Sequence, residues 1–455
     1  MGKGDLTSMR YLHIVPYQDL PNWSVAHILG NDLGFTNRYP FVSIGVLLKP
    51  SRNIVIIKDN VKYKQVTLKT NGGGAVLRGT KLGKDIGTKK QYRVSEGQFI
   101  MSKIDARNGA FGIVSGDLNG AVVTGDFPVF DVVNEKLNPS YLQLLSSTKP
   151  FIRFAQSCSR GTTNRQRIDV NQFLDLRIPL PSLEEQNAIT AAYYNSLALA
   201  DQYELQVIEG ENNIQQFFLQ QLGIKNNNET NSLKNTGKQY SYLKFYHLKD
   251  ILRWDCYNQK IDAQSLVYQT IPLSNLIVEK PKYGAGYKTS RKPNEIRYIR
   301  ITDINEDGTL NEEFVSADQY DKQFLLKQDD FLIARSGNTV GKTFLYDDTF
   351  GKAIYAGYLI KFVLDKSKIN PQYLLAYTKS HIYKQWIQGN MRVSAQPNIN
   401  CQQYLESPII VPPLKIQNKI VSRIKERKKM LNQLKQKAKD TRKKAEKDFE
   451  TKIFE

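Results

Sequence analysis

IPLPSLEEQNAI (residues 178–189) and IIVPPLKIQNKI (residues 409–420) are two copies of one stretch of sequence. They agree at six of twelve positions at an offset of 231 residues. In each copy a Pro-Leu segment ends a run of mixed composition, and a long run without an internal proline follows. Because proline breaks a helix but is tolerated just before one begins, the stretch predicts the start of a long helix in both places.

The duplication extends well beyond this stretch. Nine of the identities at an offset of 232 between residues 99 and 142 mark the repeat. They are Phe99/Phe331, Gly109/Gly341, Ala121/Ala353, Gly125/Gly357, Phe130/Phe362, Asn138-Pro139/Asn370-Pro371 and Tyr141-Leu142/Tyr373-Leu374. Further upstream, at an offset of 231, Tyr11-Leu12, Asp19 and Trp23 return as Tyr242-Leu243, Asp250 and Trp254. An offset this constant along a chain of 455 residues predicts a tandem duplication.

Each repeat is predicted to form a mixed α/β body followed by one long helix. Strand-like runs such as FVSIGVLL, GQFIMSKI and DFLIAR alternate with short helical patterns such as NPQYLLAYTKS. The predicted segments are a body at 1–182, a helix at 183–222, a polar linker at 223–240, a second body at 241–413 and a helix at 414–455. With a rise of about 1.5 Å per residue, each helix is too long for one small globule to bury.

The two long helices differ in charge. Residues 183–222 contain six acids and no Lys or Arg, whereas residues 415–452 contain 15 Lys or Arg and five acids. Apolar or small residues recur at near-heptad spacing in both, at Ile189, Tyr193, Leu197, Ala200, Val207, Ile214 and Phe218, and at Ile424, Leu431, Leu434, Ala438, Ala445 and Phe449. Opposite charges beside apolar seams favour pairing of the two helices with each other. We expect an antiparallel coiled coil with approximate two-fold symmetry; two charged helices that point apart are the alternative.

The overall charge favours a polyanionic partner. With 64 Lys and Arg against 44 Asp and Glu, the net charge is +20, which indicates nucleic acid or an anionic membrane surface. Apolar residues make up 40% of the chain, enough to exclude global disorder. Cys158, Cys256 and Cys401 lie far apart, which disfavours a disulfide scaffold and a zinc module.

Signals for export or membrane insertion are not predicted. The first residues, MGKGDLTSMRYLHIV, lack the apolar core of a signal peptide, and no stretch approaches 18 apolar residues. We therefore expect a soluble protein in a reducing compartment rich in nucleic acid, the cytoplasm.

Two glycine-rich segments resemble ligand-binding loops only weakly. SGNTVGKT (336–343) has Ser336 where a phosphate-binding loop needs glycine, and the strand-like TFLYDD follows where that loop needs a helix. A hairpin turn is the better interpretation. NGGGAVLRG (71–79) is predicted to be a flexible loop. The four histidines lie apart, and no nuclease, methyl-transfer or cofactor motif is present.

Basic residues cluster in segments predicted to be loops, at similar places in both repeats. Arg, Asn, Gln and Lys read base edges, and Lys with Ser or Thr holds phosphates. The candidate DNA-binding residues are Arg78, Lys103, Arg107, Arg160, Arg165, Arg167, Lys288, Arg291, Arg335 and Arg392. Lys103 and Arg335 are repeat equivalents, so we expect a shared phosphate contact or a scaffolding role from them. For Arg165 and Arg167 we expect contact with a guanine edge.

The Pro-Leu segments carry a family resemblance. LRIPLPSLEEQNAI (176–189) and SPIIVPPLKIQNKI (407–420), the latter preceded by VSAQPNINCQQYL, resemble the DNA specificity (S) subunits of type I restriction–modification systems. The order of body, Pro-Leu-x-x-Gln and long helix, repeated twice, resembles that family over essentially the whole chain.

The resemblance implies a protein that is not catalytic on its own. Its two bodies are then mixed α/β target-recognition domains that each read half of a bipartite double-stranded DNA target. Its helices dock two adenine methyltransferase (modification) subunits, and restriction/translocase subunits complete the complex. S-adenosylmethionine, ATP and Mg belong to those partners, and no cofactor or metal belongs to this chain. Because the bodies differ in nearly every loop, we expect an asymmetric target.

Two hypotheses from other classes stay open at this point. A nucleotide-dependent enzyme would use residues 336–343, and ATP binding by the isolated chain would favour it. A coiled-coil architectural protein without sequence preference would protect any duplex equally.

Overall fold

A computed structural model describes residues 38–160, 167–224, 267–290, 295–391 and 397–454. The repeated residues at 11–23 and 242–254 lie outside these ranges. The described residues form two compact units. Unit 1 contains residues up to 202 together with those from 437 onward, and unit 2 contains residues 203–436. Each long helix thus contributes one part to each unit, whereas the sequence analysis assigned each helix whole to the end of its own repeat.

Unit 1 contains thirteen strands and four short helices in the described residues. The strands are β1 Phe41–Ser43, β2 Leu48–Ser51, β3 Ile54–Ile56, β4 Lys62–Leu68, β5 Ala75–Leu82, β6 Lys90–Arg93, β7 Phe99–Met101, β8 Phe111–Ile113, β9 Val122–Val123, β10 Val129–Val132, β11 Ser159–Arg160, β12 Arg167–Ile168 and β13 Arg177–Pro179. The helices are α1 Ile44–Leu47, α2 Pro139–Ser147, α3 Lys149–Ser157 and α4 Val170–Asp175.

Two larger sheets organise unit 1. One is four-stranded in the order β2-β10-β7-β8, and the other is five-stranded in the order β3-β6-β9-β4-β5. β7 faces both layers of the core, because Phe99 and Met101 pack with helices α2 to α4 while Ile100 packs with residues of the five-stranded sheet. Side chains alternate across a strand, so one short strand supplies both cores.

Unit 2 repeats part of this plan. Its strands are β14 Thr270–Pro272, β15 Lys282–Tyr283, β16 Arg297–Ile299, β17 Phe331–Ala334, β18 Thr343–Leu345, β19 Ala353–Tyr355, β20 Leu359–Phe362 and β21 Pro408–Ile410. Its short helices are α6 Pro371–Thr378, α7 His381–Asn390 and α8 Cys401–Leu405. The sheet β15-β20-β17-β18 corresponds to β2-β10-β7-β8, and the pair β14-β21 corresponds to β1-β13. The duplication predicted from the sequence is therefore present in the fold.

The two long helices are α5, Leu183–Gln221, and α9, Leu414–Phe454. Their bounds lie within one residue of the predicted ones. Every seam residue predicted from the heptad spacing is buried or half-buried. The acidic and basic helices therefore use the apolar stripe that the sequence indicated.

Contacts inside each unit show that α5 and α9 run antiparallel. In unit 1 the Tyr193 and Phe449 rings lie 6.2 Å apart, and Asp201 binds Arg442. In unit 2, where residue numbers on α5 are higher, the α9 partners have lower numbers: Lys435 Nζ lies 2.8 Å from Glu211 Oε1. The predicted pairing of opposite charges along an antiparallel coiled coil is confirmed.

The Gln of each Pro-Leu-x-x-Gln segment joins its long helix to the adjacent body. Gln186, fully buried, donates from Nε2 to the carbonyls of Lys136 and Pro181 at 3.0 and 2.9 Å. Its Oε1 accepts from the backbone N–H of Asn138 at 2.8 Å. The Asn138 side chain in turn caps α2. We call Gln186 and these three partners the first clamp.

The second clamp repeats this arrangement in unit 2. Gln417, also fully buried, donates to the carbonyls of Lys368 and Pro412 at 3.0 and 2.7 Å and accepts from Asn370 at 2.8 Å. Asn370 caps α6. Both amides are fully used inside the protein, which a buried polar group requires. The motif that carries the family resemblance is thus a structural joint.

Each body also receives the C-terminal end of the other long helix. In unit 1 the rings of Tyr141 and Phe449 lie 6.2 Å apart, and in unit 2 those of Tyr373 and Phe218 lie 5.8 Å apart. Tyr141 and Tyr373 are repeat equivalents, as are Phe218 and Phe449 at an offset of 231. The core of each body therefore packs against the end of a long helix through an equivalent Tyr–Phe pair.

Two segments fold differently from the sequence-based expectation. FVSIGVLL is not one strand, because the helical turn α1 separates β1 from β2. NGGGAVLRG is not a flexible loop: residues 71–74 turn, and β5 begins at Ala75. Among the described strands β5 pairs with β4 at the edge of its sheet, and its residues are all half-buried or exposed, so the period-two pattern of a strand was faint in the sequence.

None of the helices in the described part of the chain combines the length and apolarity needed to cross a bilayer.

The second clamp leads to a stability prediction. Gln417→Ala leaves two carbonyls and one N–H without a partner in a buried joint, so we expect it to lower the free energy of unfolding by roughly 2–4 kcal/mol. Gln433→Ala, on the same helix but exposed, should change it little. Urea unfolding of the two variants measures the difference, and equal midpoints would show that the clamp does not stabilise the fold.

Candidate nucleic-acid interface

Lys103 follows strand β7 and is held by two backbone hydrogen bonds. Its N–H donates to the carbonyl of Asp126 at 2.8 Å, and its carbonyl accepts from the N–H of Ile168 at 2.9 Å. Three separate segments of unit 1 therefore meet at Lys103. We call Lys103, Asp126, Arg167 and Ile168 the first corner.

Unit 2 contains the equivalent arrangement. Arg335 follows β17, its N–H donates to the carbonyl of Tyr358 at 3.0 Å, and its carbonyl accepts from the N–H of Ile399 at 3.0 Å. Arg335 and Tyr358 lie at an offset of 232 from Lys103 and Asp126, and Ile399 lies at an offset of 231 from Ile168. We call Arg335, Tyr358, Asn398 and Ile399, together with Tyr283 beneath the Arg335 guanidinium, the second corner. The two corners share their backbone bonds.

The first corner carries an exposed ion pair. Arg167 Nη1 lies 3.3 Å from Asp126 Oδ1, and the two side chains are 59% and 42% exposed. Lys103 beside them is half-buried. The corner therefore presents two cations and one carboxylate to solvent.

The second corner carries aromatic rings in place of the carboxylate. The guanidinium of Arg335 lies over the Tyr283 ring, 5.0 Å from its centroid. The Tyr283 and Tyr358 residues are 43% and 52% exposed, so both rings are accessible to solvent. A cation over a ring with a second open ring nearby offers both a charge and stacking surfaces to a nucleic acid.

Three further candidate residues are placed in other ways. Arg78 is exposed on edge strand β5, at a β-bulge where Gln65 pairs with Gly79 and Val66 with Leu77. Arg107 is half-buried in a 3-10 turn, and its carbonyl accepts from Gln156 Nε2 at 2.7 Å. Lys288 is exposed, and its backbone N–H donates to Asp318 Oδ1 at 3.1 Å.

The other candidates lie at the limits of the described residues. Arg165, Arg291 and Arg392 fall outside the described ranges, and for Arg160 only the backbone, on β11, is described. Among the described candidates, Lys103 and Arg167 lie close together, because Lys103 is hydrogen-bonded to Ile168 on the strand of Arg167. Arg335 occupies the position in unit 2 that is equivalent to Lys103.

The prediction that the basic residues lie in loops is wrong for three of them. Arg78, Arg160 and Arg167 lie on strands β5, β11 and β12. β11 and β12 form a two-residue pair, and the buried Ile168 ties β12 to Lys103. Strands this short leave no periodic pattern, so turn-like composition dominated the sequence signal.

SGNTVGKT is a hairpin turn. β17 and β18 pair antiparallel on either side of it, with a 3-10 turn at Gly337–Thr339. Lys342 Nζ lies 3.0 Å from Glu306 Oε1. No helix N-terminus follows the segment, so it lacks the amides that hold phosphates in a phosphate-binding loop.

Metal-ligand groups and free thiols can be assessed in the described residues. Within the described ranges no group of three or more His, Cys, Asp or Glu is placed to hold a metal ion. Cys158 and Cys401 are free thiols; burial raises the pKa of the Cys158 thiol to about 12, which disfavours its reactive thiolate.

Comparison with known families decides between the remaining hypotheses. The type I restriction modification DNA specificity domain matches the chain twice, at residues 36–193 and 277–441. The two matches cover more than half of the chain and coincide with the two repeats. The chain belongs to this family.

The chain is also similar to several individual proteins. The type I restriction enzyme EcoEI specificity subunit from Escherichia coli is 21% identical over 417 residues, with 76% of this chain and 70% of the relative covered. A solved structure concerned with complex assembly and conformational transition of the type I R-M system contains a similar chain, with a TM-score of 0.57 and 16% identity, covering 92% of this chain and 98% of that one. The HsdS subunit from Thermoanaerobacter tengcongensis has 15% identity and a TM-score of 0.43, covering 92% and 96%.

The protein is therefore a DNA specificity subunit of a type I restriction–modification system, with two specificity domains. The hypotheses of a nucleotide-dependent enzyme and of an architectural protein without sequence preference are not supported. The basic residues of the corners were predicted from the sequence, whereas Asp126, Tyr283 and Tyr358 were not. The offset of 232 could have revealed two of them, because it aligns Asp126 with Tyr358.

The shared backbone of the two corners leads to a binding prediction. We expect Arg335→Ala to weaken DNA binding by the full chain equally for all sequences and to reduce the slope of log K against log salt by about 1, as loss of one phosphate contact does. Lys366→Ala, which removes a cation already paired with Asp329, is the matched control. A loss confined to one base position, with the slope unchanged, would instead make Arg335 a base contact.

Proposed function

We propose that each of the two domains reads one half of a bipartite, asymmetric DNA target. The observation that supports this most directly is the pair of corners. Their backbone hydrogen bonds are the same, so both hold their side chains on the same scaffold. The first corner carries Lys103, Asp126 and Arg167, whereas the second carries Arg335 with the Tyr283 and Tyr358 rings. A shared scaffold with different contact chemistry suits two readers that share a docking mode and differ in the bases they select.

Direct contact with base edges has its best support at Arg167. Its guanidinium is exposed, and an arginine fork matches the O6 and N7 acceptors of guanine. Arg165, Arg160 and Arg107 belong to the same proposed surface in the first domain. Lys288, Arg291, Arg335 and Arg392 form its counterpart in the second domain, and Arg78 extends the first surface along strand β5.

The long helices are proposed to dock two modification subunits. α5 carries exposed apolar side chains outside its buried seam, Leu199 in unit 1 and Leu205 and Ile208 in unit 2. Leu205 and Ile208 are three residues apart and so lie on nearly the same face of α5, and neighbouring exposed apolar side chains are typical of protein interfaces. α9 offers a strongly basic surface of different character. We further propose that the pair of helices sets the number of base pairs between the half-sites.

The chemistry is proposed to reside in partner subunits. Modification subunits would supply adenine methylation with S-adenosylmethionine, and restriction/translocase subunits would use ATP and Mg. The specificity subunit alone should then neither methylate nor cut duplex DNA. Because all of these partners would act on double-stranded DNA, we propose that the complex works in the cytoplasm.

A domain exchange tests independent readout. Residues 24–177 are replaced by the matching body of a relative, and the chimera is expressed with the modification subunit in a host that lacks adenine methylation. Genome-wide mapping of N6-methyladenine should show one half-site changed, with the other half-site and the spacer retained. The matched control exchanges the second body instead and should change the opposite half-site. Alteration of both halves by one exchange, or of neither, would contradict the proposal.

A further inference from the structure

The first corner holds a pair of side chains that the second corner lacks. Asp126 and Arg167 form an ion pair at the position where the second corner has Tyr358 and, at an offset of 231 from Arg167, Asn398. The backbone at Lys103 and Arg335 is bonded in the same way in both corners. The difference between the corners therefore lies in side chains and not in the scaffold.

The ion pair contributes little to holding the corner together. Both side chains are exposed, and exposed ion pairs typically contribute little to the stability of a protein because solvent screens them. The strands at the corner are joined by backbone bonds, those of Lys103 with Asp126 and Ile168 and those between β11 and β12. The ion pair therefore adds little to stability, and both of its side chains are accessible to a ligand.

The two side chains are complementary to one base pair. Guanine presents the O6 and N7 acceptors in the major groove, which an arginine fork matches, and its partner cytosine presents the N4 amino donor, which a carboxylate accepts. Arg167 and Asp126 hold this donor and acceptor 3.3 Å apart. A guanidinium has five N–H donors, so one contact with Asp126 leaves donors for a base edge.

We propose that Asp126 and Arg167 together select a G·C pair in the half-site read by the first domain, and that positions 126 and 358 are equivalent specificity positions of the two domains. This rests on the proposed function. Tyr358 offers a ring and a hydroxyl in place of the carboxylate, so the second domain does not impose the same requirement at the corresponding position.

Methylation mapping of two conservative variants tests the assignment. Asp126→Asn keeps the size of the side chain and removes its charge, and Arg167→Lys keeps the charge and removes the fork. Asp59→Asn is the matched control, because Asp59 also forms an exposed ion pair in unit 1, 2.7 Å from Lys89. Each chain is expressed with the modification subunit, and N6-methyladenine is mapped throughout the genome.

In the wild type, one half-site should contain an invariant G·C pair. In Asp126→Asn and in Arg167→Lys, we expect the preference for that pair over its alternatives to fall by about tenfold or more. The other half-site and the spacer should stay as in the wild type, and Asp59→Asn should leave the whole motif intact.

Three results would overturn the assignment: an unchanged motif in both variants, a change in the other half-site, or an equal loss of methylation at every sequence. A wild-type complex that methylates without any bipartite motif would instead refute the proposed function. The two failures are therefore distinguishable in one data set.

Discussion

Gln186 and Gln417 each bury a primary amide at the start of a long helix, with hydrogen bonds to two carbonyls and one N–H. A buried amide is costly unless its donors and its acceptor are matched, so these bonds tolerate little displacement of the helix against the body. Each amide accepts from the cap residue of a short helix, Asn138 for α2 and Asn370 for α6. The same short helices carry Tyr141 and Tyr373, whose rings contact the ends of the long helices. The place of each body on its helix follows from this joint.

The two domains share the buried features around the clamps and differ in exposed side chains. Helix starts, caps, core tyrosines and the backbone bonds at Lys103 and Arg335 recur in both units, whereas the exposed side chains at 126 and 358 differ. A change at an exposed position costs little stability, while a change in the joint affects a buried hydrogen-bond network. A duplicated specificity subunit can therefore acquire different half-sites without a change of fold.

The features that could be predicted from the sequence are those that depend on long, regular patterns. The bounds of α5 and α9, their buried seam and their opposite charges followed from periodicity and composition, since α-helical spacing repeats over dozens of residues. The hairpin at SGNTVGKT followed from the strand-like residues beside it. The family assignment followed from the doubled Pro-Leu-x-x-Gln segment, although its role as a joint did not.

The features that could not be predicted from the sequence depend on contacts between distant segments of the chain. β11 and β12 are two residues long, and their place is set by the bond between Ile168 and Lys103, 65 positions earlier in the chain. Asp126 is marked as a site residue by its ion pair with Arg167, and Tyr283 by its contact with the Arg335 guanidinium. Local composition carries no record of such pairs. Strand β5, with an exposed edge and a bulge at Arg78, likewise lacked the alternation that marks a strand.

Our central proposal is that the antiparallel helix pair sets the number of base pairs between the two half-sites. Its most direct test inserts seven residues into both helices, between positions 202 and 203 and between positions 436 and 437, followed by methylation mapping. Seven residues preserve the heptad seam and lengthen the pair by about 10 Å. Since duplex DNA rises about 3.4 Å per base pair, the account predicts unchanged half-sites with a spacer longer by about three base pairs. Methylation should be weaker, because the half-sites are also rotated around the duplex. Retention of the original spacer would show that the helices do not set the distance.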